Sequence, residues 1–366
     1  MTIDLSRYNR QMLLPGFGEA GQRRLAESTA LILGCGALGT VAADGLARAG
    51  VGHLIIVDRD FIELSNLQRQ VLFDEDDVAE GLPKAEAARR KIARINSQVQ
   101  VTAIVDDINH TNIARLAADA DILVDGLDNI ETRYLVNDCA VKHAIPYVYG
   151  GAVGTTGMAC AILPHSADGT AWWETSPAGS HATPCLRCLF PEAPGPGENP
   201  TCDTVGVIGP AVTIVAAFEV NEALKILTGN LDRVNTRLLN LDLWSNSITQ
   251  LDIGAIREST NCPCCRQRRF DYLDGEAGST AAALCGRNAV QLRHRQSEGG
   301  NAGLEEIAER LRRHGQVKVN EFMLRAQLTD NGQPFEVTLF ADGRAIVKGT
   351  DEATVARGIY ARFIGN

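Results

Sequence analysis

Three glycines set the first constraint on this chain. Gly34, Gly36 and Gly39 lie in the run Gly34-Cys35-Gly36-Ala37-Leu38-Gly39, between an apolar stretch, Thr29–Leu33, and a stretch of helical composition that stops at Gly50. A second apolar stretch, His53–Val57, ends at Asp58, nineteen residues after the last glycine. Strand, glycine turn, helix and strand make a βαβ unit of about 30 residues, the smallest parallel-sheet building block. Glycines at this spacing allow a tight turn and a close approach of backbone to phosphate, and the following helix N-terminus favours negative charge. Asp58 stands where it can accept from ribose hydroxyls. On the motif alone, an NAD-dependent Rossmann oxidoreductase is the default reading, and glycines that serve only helix–strand packing the plain one.

The alternation continues downstream. Lys84 to Asn96 reads as helix, Val99 to Val105 and Ile122 to Val124 as strands, Tyr134 to His143 as helix, and Tyr147-Val148-Tyr149 as extended before Gly150-Gly151. The fold class expected is α/β, a doubly wound, mostly parallel Rossmann-like sheet. Residues 191–204 are rich in Pro and Gly and read as a loop, and Ala211 to Leu227 as an apolar helix stopped by Gly229, buried in the core or at a subunit interface. From about Asp271 the pattern changes to strand, helix, two strands (Val317 to Leu328, Phe335 to Phe340) and a last helix, Glu352 to Phe363. The organisation expected is therefore a domain over 1–270, a linker over 271–280 and a small α+β domain over 281–366.

A net charge of −10 argues against sequence-independent nucleic-acid binding, which needs a basic face, and leaves room only for a local basic patch. No apolar run reaches the roughly 18–20 residues that span a bilayer, and the N-terminal residues do not resemble a signal peptide. A cytoplasmic location is expected, and in a reducing compartment ten cysteines do not read as a disulfide framework.

Three further clusters shift the reading away from hydride transfer. Ser65-Asn66-Leu67-Gln68-Arg69-Gln70 follows the second strand, Pro83-Lys84-Ala85-Glu86 comes next, and Asp125-x-x-Asp128-Asn129 ends a later strand. Each lies near the C-terminal edge of a parallel strand, where ligands bind in such sheets. Hydride transfer has no need of an Arg and a Lys converging on phosphates beside a metal-binding carboxylate. Phosphoryl or nucleotidyl transfer does: its difficulty is charge, which Arg and Lys stabilise, and Mg²⁺ needs carboxylate oxygen.

Cys185-Leu186-Arg187-Cys188 and Cys262-Pro263-Cys264-Cys265 form two Cys-x-x-Cys pairs about 74 positions apart. Four thiolates suit a closed, structural tetrahedral zinc. Cys262 and Cys265 keep the two-residue spacer, which leaves Cys264 a spectator. A redox-active pair is the competing reading, and it needs one exposed thiol at a helix start. Cys35, Cys139, Cys160 and Cys285 read as buried thiols.

With Arg7-Tyr8-Asn9-Arg10-Gln11, the glycine loop, Asp58-x-Asp60, the Ser65–Gln70 run, Pro83-Lys84, Asp128-Asn129 and both cysteine pairs, the chain resembles the MoeB/ThiF/ubiquitin-activating E1 superfamily over roughly residues 5–268. The resemblance implies an ATP-dependent adenylyltransferase acting on the C-terminal carboxylate of a ubiquitin-like sulfur carrier that ends in Gly-Gly. It implies Asp58 on the ATP ribose, Asn66, Arg69 and Lys84 on the phosphates, and Asp128 on Mg²⁺. Asp60, Ser65, Gln70 and Asn129 belong to the same nucleotide site. Arg10 would reach the active site of the other subunit of a homodimer. Cys202, in the Pro/Gly-rich loop, matches a loop that crosses the active site; in some members its cysteine links covalently to the carrier, and a passenger thiol is the equal alternative. Activation of another carboxylate, on a ubiquitin-like modifier, a peptide or a tRNA, stays open. His165, His181 and Trp172-Trp173-Glu174 fall in an insertion that could shape a partner surface or pack in the core. The C-terminal region, with only Cys285, does not read as a rhodanese; a carrier-docking module is expected there.

Overall fold

A computed structural model describes residues 4–165, 182–192, 205–277, 283–284, 289–293, 304–330, 332–340, 344–350 and 352–364. These fall into two compact units, one within residues 1–278 and one within 279–366.

The larger unit begins with α1 (Asn9–Met12) and α2 (Gly18–Glu27), then β1 (Thr29–Leu33), α3 (Ala37–Ala49) and β2 (His53–Val57). It continues through α4 (Glu75–Glu80), α5 (Lys84–Ile95), β3 (Gln100–Ile104), α6 (Ile113–Leu116), β4 (Ile122–Asp125), α7 (Ile130–His143), β5 (Tyr147–Val153) and β6 (Thr156–Ile162). After α8 (Leu186–Leu189) come the long α9 (Gly209–Leu227), β7 (Arg237–Asp242), β8 (Ser247–Asp252) and α10 (Ile256–Ser259). The eight strands lie in the order β3-β2-β1-β4-β5-β6-β7-β8. Pairing is parallel from β3 to β5 and antiparallel from β5 to β8.

Because β1 lies between β2 and β4, the chain leaves β1 in one direction and β4 in the other, which opens a crevice at their C-terminal ends. Strands β1, β2 and β4 are buried on both faces, as parallel strands covered by helices must be. Helices α3, α5 and α9 pack together against one face. On the other, Leu31, Leu33, Val57, Leu123 and Tyr147 pack against Leu135, Val136 and Cys139 of α7. Within the chain α9 is buried along one face, with Thr213, Ala217 and Asn221 exposed.

Residues 271–275, within the stretch expected as a linker, pack on this unit: Tyr272 stacks on Tyr134 with ring centroids 5.1 Å apart, and Asp271 pairs with Arg187 at 3.2 Å.

The smaller unit consists of β9 (Ala283–Leu284), β10 (Ala289–Arg293), α11 (Leu304–Leu311), β11 (Gly315–Val319), β12 (Met323–Asp330), β13 (Gln333–Phe340), β14 (Arg344–Lys348) and α12 (Ala353–Phe363). Its sheet has the order β11-β12-β13-β14-β10-β9 and is antiparallel throughout. The single strand expected over Val317 to Leu328 is two, because Asn320 Oδ1 accepts from the N–H groups of Phe322 and Met323 and turns the chain. Among the described residues no helix is long and apolar enough to cross a membrane.

Candidate active site

The crevice is formed by backbone contact that only glycine permits. Gly34 adopts φ +88°, and its carbonyl lies so close that a Cβ added at Gly39 or Gly126 would stand 2.0 or 2.2 Å from it. Gly36 meets no such crowding and forms the N-cap of α3, where no side chain caps the first turn. The α3 amides at the turn therefore suit an anion.

Asp58 ties this turn to the end of β2. Its carboxylate accepts from the N–H of Cys35 and the N–H of Asp60, both at 2.6 Å. Burial pushes the Asp58 carboxyl above its ordinary range, while Lys84 draws it down and Asp60 raises it again. A carboxylate has about four lone-pair sites, so two backbone bonds leave capacity for ribose hydroxyls. Lys84 opens α5, is 5% exposed, and sits with Nζ 3.2 Å from Asp60 Oδ2. An ammonium so buried needs anionic company, and Asp60 provides it.

The Ser65–Gln70 run forms a tight turn beside this pair. Asn66 Oδ1 accepts from the Glu63 N–H at 3.0 Å, and Arg69 Nη1 donates to the Ser65 carbonyl at 2.9 Å. Ser65 is exposed and Arg69 half-buried. Gln70 is 3% exposed, and its Oε1 has no hydrogen-bond partner among the described residues. At the end of β4, Asn129 caps α7 by accepting from the Thr132 N–H at 2.8 Å and donates to Asp128 Oδ1 at 3.3 Å. Asp128 is exposed, and the nesting of Gly126 against Gly34 sets its loop beside the glycine turn.

Arg10 is not with these groups. α1 is held at the far end of α3: Gln11 donates to the Ala49 carbonyl at 2.9 Å, Arg7 to the Ile95 carbonyl at 2.6 Å, and Asn96 to the Tyr8 hydroxyl at 2.8 Å. With thirteen residues, α3 separates that end from the glycine turn by about 20 Å. Cys202, His181, Cys285 and Trp172-Trp173-Glu174 lie outside the described residues.

The four cysteines chosen by spacing meet. The sulfurs of Cys185, Cys188, Cys262 and Cys265 all lie within 4.8 Å of one another, with contacts of 3.8, 3.6 and 3.4 Å. Tetrahedral zinc with Zn–S bonds of about 2.3 Å needs S–S separations of about 3.8 Å, so the quartet fits the ion. Cys264 is not part of the quartet, and its sulfur accepts from Asn137 Nδ2 at 3.3 Å. His165 borders a cavity of about 110 Å³ beside Cys185 and Cys265, with Arg257 and Arg268.

One buried cluster escaped the sequence reading. Arg133 Nε donates to Asp125 Oδ2 at 3.0 Å, and its Nη2 donates to the carbonyls of Leu127 and Gly150 at 2.7 and 2.9 Å. Tyr147 donates its hydroxyl to Asp125 at 2.5 Å. In the sequence Arg133 looks like one more solvated charge on a helix; no local signal marks its burial.

Comparison with known proteins places this arrangement. A model described as the ThiF family matches residues 8–264. The sulfur carrier protein ThiS adenylyltransferase of Bacillus subtilis is 43% identical over 98% of this chain and 99% of its own. The SAMP-activating enzyme E1 of Haloferax volcanii is 36% identical over 74% of this chain and 92% of its own. Among solved structures, Escherichia coli MccB with ATP superposes with a TM-score of 0.56 at 26% identity, over 71% of this chain and 74% of that one. Fold and site thus define an E1-like α/β protein with a glycine-lined crevice at its switch point. The chain belongs to the ThiF family.

Proposed function

We propose that this chain adenylates the C-terminal carboxylate of a ubiquitin-like sulfur carrier, using ATP and releasing pyrophosphate. One observation carries the reading: a buried ammonium, Lys84, held by Asp60 at the rim of a glycine turn that Asp58 locks in place. The full-length identity to a ThiS adenylyltransferase supports it.

The carrier's terminal carboxylate oxygen attacks the α-phosphorus, the bond to the bridging oxygen breaks, and pyrophosphate leaves with the electron pair. Nucleophile and polyphosphate repel, so cations and positioning do the catalytic work. Asp58 holds the ribose, the α3 amides and Asn66 the phosphates, and Arg69 and Lys84 the charge that builds on the departing oxygens. Gly34, Gly36 and Gly39 admit the phosphates, and Ser65, Gln70 and Asn129 complete the pocket. Asp128, an exposed hard-oxygen donor beside the glycine turn, is suited to Mg²⁺, which would neutralise polyphosphate charge. No general base is required, since a terminal carboxylate is ionised at pH 7.

A homodimer would put Arg10 to use. Its helix is anchored far from its own crevice and runs into exposed Leu13 (67%) and Leu14 (57%); exposed Leu64 (67%) and Val71 (57%) flank the Ser65–Gln70 run. Pairing these two apolar sets between copies covers both and delivers Arg10 to the partner's triphosphate.

The smaller unit we assign to docking the carrier. Truncation after residue 275 tests this: unchanged carrier affinity rules it out. The main test is carrier-dependent ATP–pyrophosphate exchange, with a mass measurement on the carrier. Gain of one adenylyl group is expected, and reduction of a nicotinamide in place of exchange would overturn the reading.

A further inference from the structure

We propose that Arg133 is a positioning residue that aims Asp128 at the metal. The proposal rests on the assignment of Asp128 made above and adds the device that fixes its direction. The carbonyl of Leu127 and the N–H of Asp128 belong to one rigid peptide plane. Arg133 Nη2 grips that carbonyl at 2.7 Å and, with the same nitrogen, the Gly150 carbonyl of β5 at 2.9 Å. The other side of Leu127 is held too, because Asp125 Oδ1 accepts its N–H at 2.9 Å. One residue earlier, the Gly126 N–H donates to the Leu33 carbonyl at 2.8 Å. On the far side of Asp128, Asn129 is fixed as the cap of α7. The backbone leading into Asp128 is thus tied to β1 and β5 and the residue after it to α7, and the guanidinium is the part of this clamp that spans β4 and β5.

The guanidinium is itself held by the rest of the cluster. Arg133 lies over the Tyr149 ring at 5.5 Å, and Asp125, fully buried, receives both its Nε and the Tyr147 hydroxyl. Glu219 of α9 is buried against Gly150 with neither carboxyl oxygen hydrogen-bonded among the described residues. Asp125 is paired with this one cation, and a substitution that deletes the charge leaves a buried carboxyl without it and threatens the fold. Lysine keeps the charge and can reach Asp125. It lacks the planar fork that bonds a carboxylate and two carbonyls together, so Arg133→Lys separates positioning from charge balance.

The readout is Mn²⁺ affinity of the full-length protein in the presence of a non-hydrolysable ATP analogue, followed by electron paramagnetic resonance. Arg133→Lys is expected to weaken Mn²⁺ binding about tenfold, the usual scale for a group that orients a metal ligand. It should weaken binding no further in an Asp128→Asn background, because its effect passes through Asp128. Tyr147→Phe, which removes only the hydroxyl that steadies Asp125, should shift affinity the same way by a smaller factor, and serves alone if the lysine variant does not fold. Wild-type affinity in Arg133→Lys and Tyr147→Phe, with Asp128→Asn still impaired, overturns the clamp and leaves the metal assignment standing. A loss in the double variant equal to the product of the single losses makes Arg133 a direct contact and also overturns it. Unchanged affinity in Asp128→Asn sinks the metal assignment and the clamp with it.

Discussion

At the mouth of the glycine turn the charged groups are partnered loosely, within one chain, and in ways a ligand can share. Lys84 lies 3.2 Å from Asp60, Asp58 spends only part of its capacity on two amides, and Asp128 faces solvent. Elsewhere in the same unit, four sulfurs within 4.8 Å of one another turn inward, three of them buried. The first centre suits a substrate that comes and goes, the second a structural ion. Substitution in the open centre should therefore cost rate and little stability, and substitution in the closed centre stability and little rate.

The largest effect expected falls on the open side. Losing a group that acts on transition-state charge typically costs about 3–4 kcal/mol, or 10²–10³ in rate. Arg69→Ala, Lys84→Ala and Asp128→Ala should each lower ATP–pyrophosphate exchange at least about a hundredfold. For Arg69 and Asp128, which are not buried, thermal denaturation should move by no more than about 0.5 kcal/mol. Near-wild-type exchange in all three would remove the site assignment. On the closed side, Cys188→Ser should release zinc and lower the melting temperature by more than about 5 °C, since a domain of this size loses about 2–4 °C per kcal/mol. Exchange by the molecules still folded should stay within about threefold of wild type. A hundredfold loss there would couple the two centres and break the contrast.

Gly126→Ala sharpens the contrast by striking backbone instead of side chain. The new Cβ would lie 2.2 Å from the Gly34 carbonyl, with no flexible side chain to give way. Overpacking of this kind costs about 1–3 kcal/mol, and it should raise the KM for ATP as well, because the crevice itself shifts. Full stability with normal KM would mean the two loops can separate freely.

How much of this the sequence carried differs between the centres for physical reasons. The βαβ unit was legible because Gly34 and Gly39 are forced by contact and its strands are buried on both faces, so each leaves an uninterrupted apolar run. The quartet was legible from thiol spacing alone, down to the choice of Cys262 over Cys264. Strand β8 was not, since every residue from Ser247 to Asp252 is exposed and no apolar alternation survives. The turn between β11 and β12 contains neither Gly nor Pro; an Asn side chain makes it, and the flanking residues alternate straight through it. Arg133 was hidden for the opposite reason: its partners are two backbone carbonyls and a strand-end Asp, none of which its own neighbours in sequence reveal.

Cys264 gives the smallest effect and tests the quartet most narrowly. It is as buried as Cys262 and lies one residue from Cys265, so burial and proximity do not separate it from the ligands. Spacing does, and its sulfur receives a hydrogen bond from Asn137, whose Oδ1 in turn accepts from the Leu186 N–H at 2.8 Å. Cys264→Ala should therefore keep one zinc per chain and lose only a small buried group and one weak hydrogen bond, about 1 kcal/mol. That is a shift of about 2–4 °C, with exchange unchanged. Loss of zinc in this variant but not in Cys265→Ser would place the fourth ligand at Cys264, and the two-residue spacer would no longer be what selects the ligands.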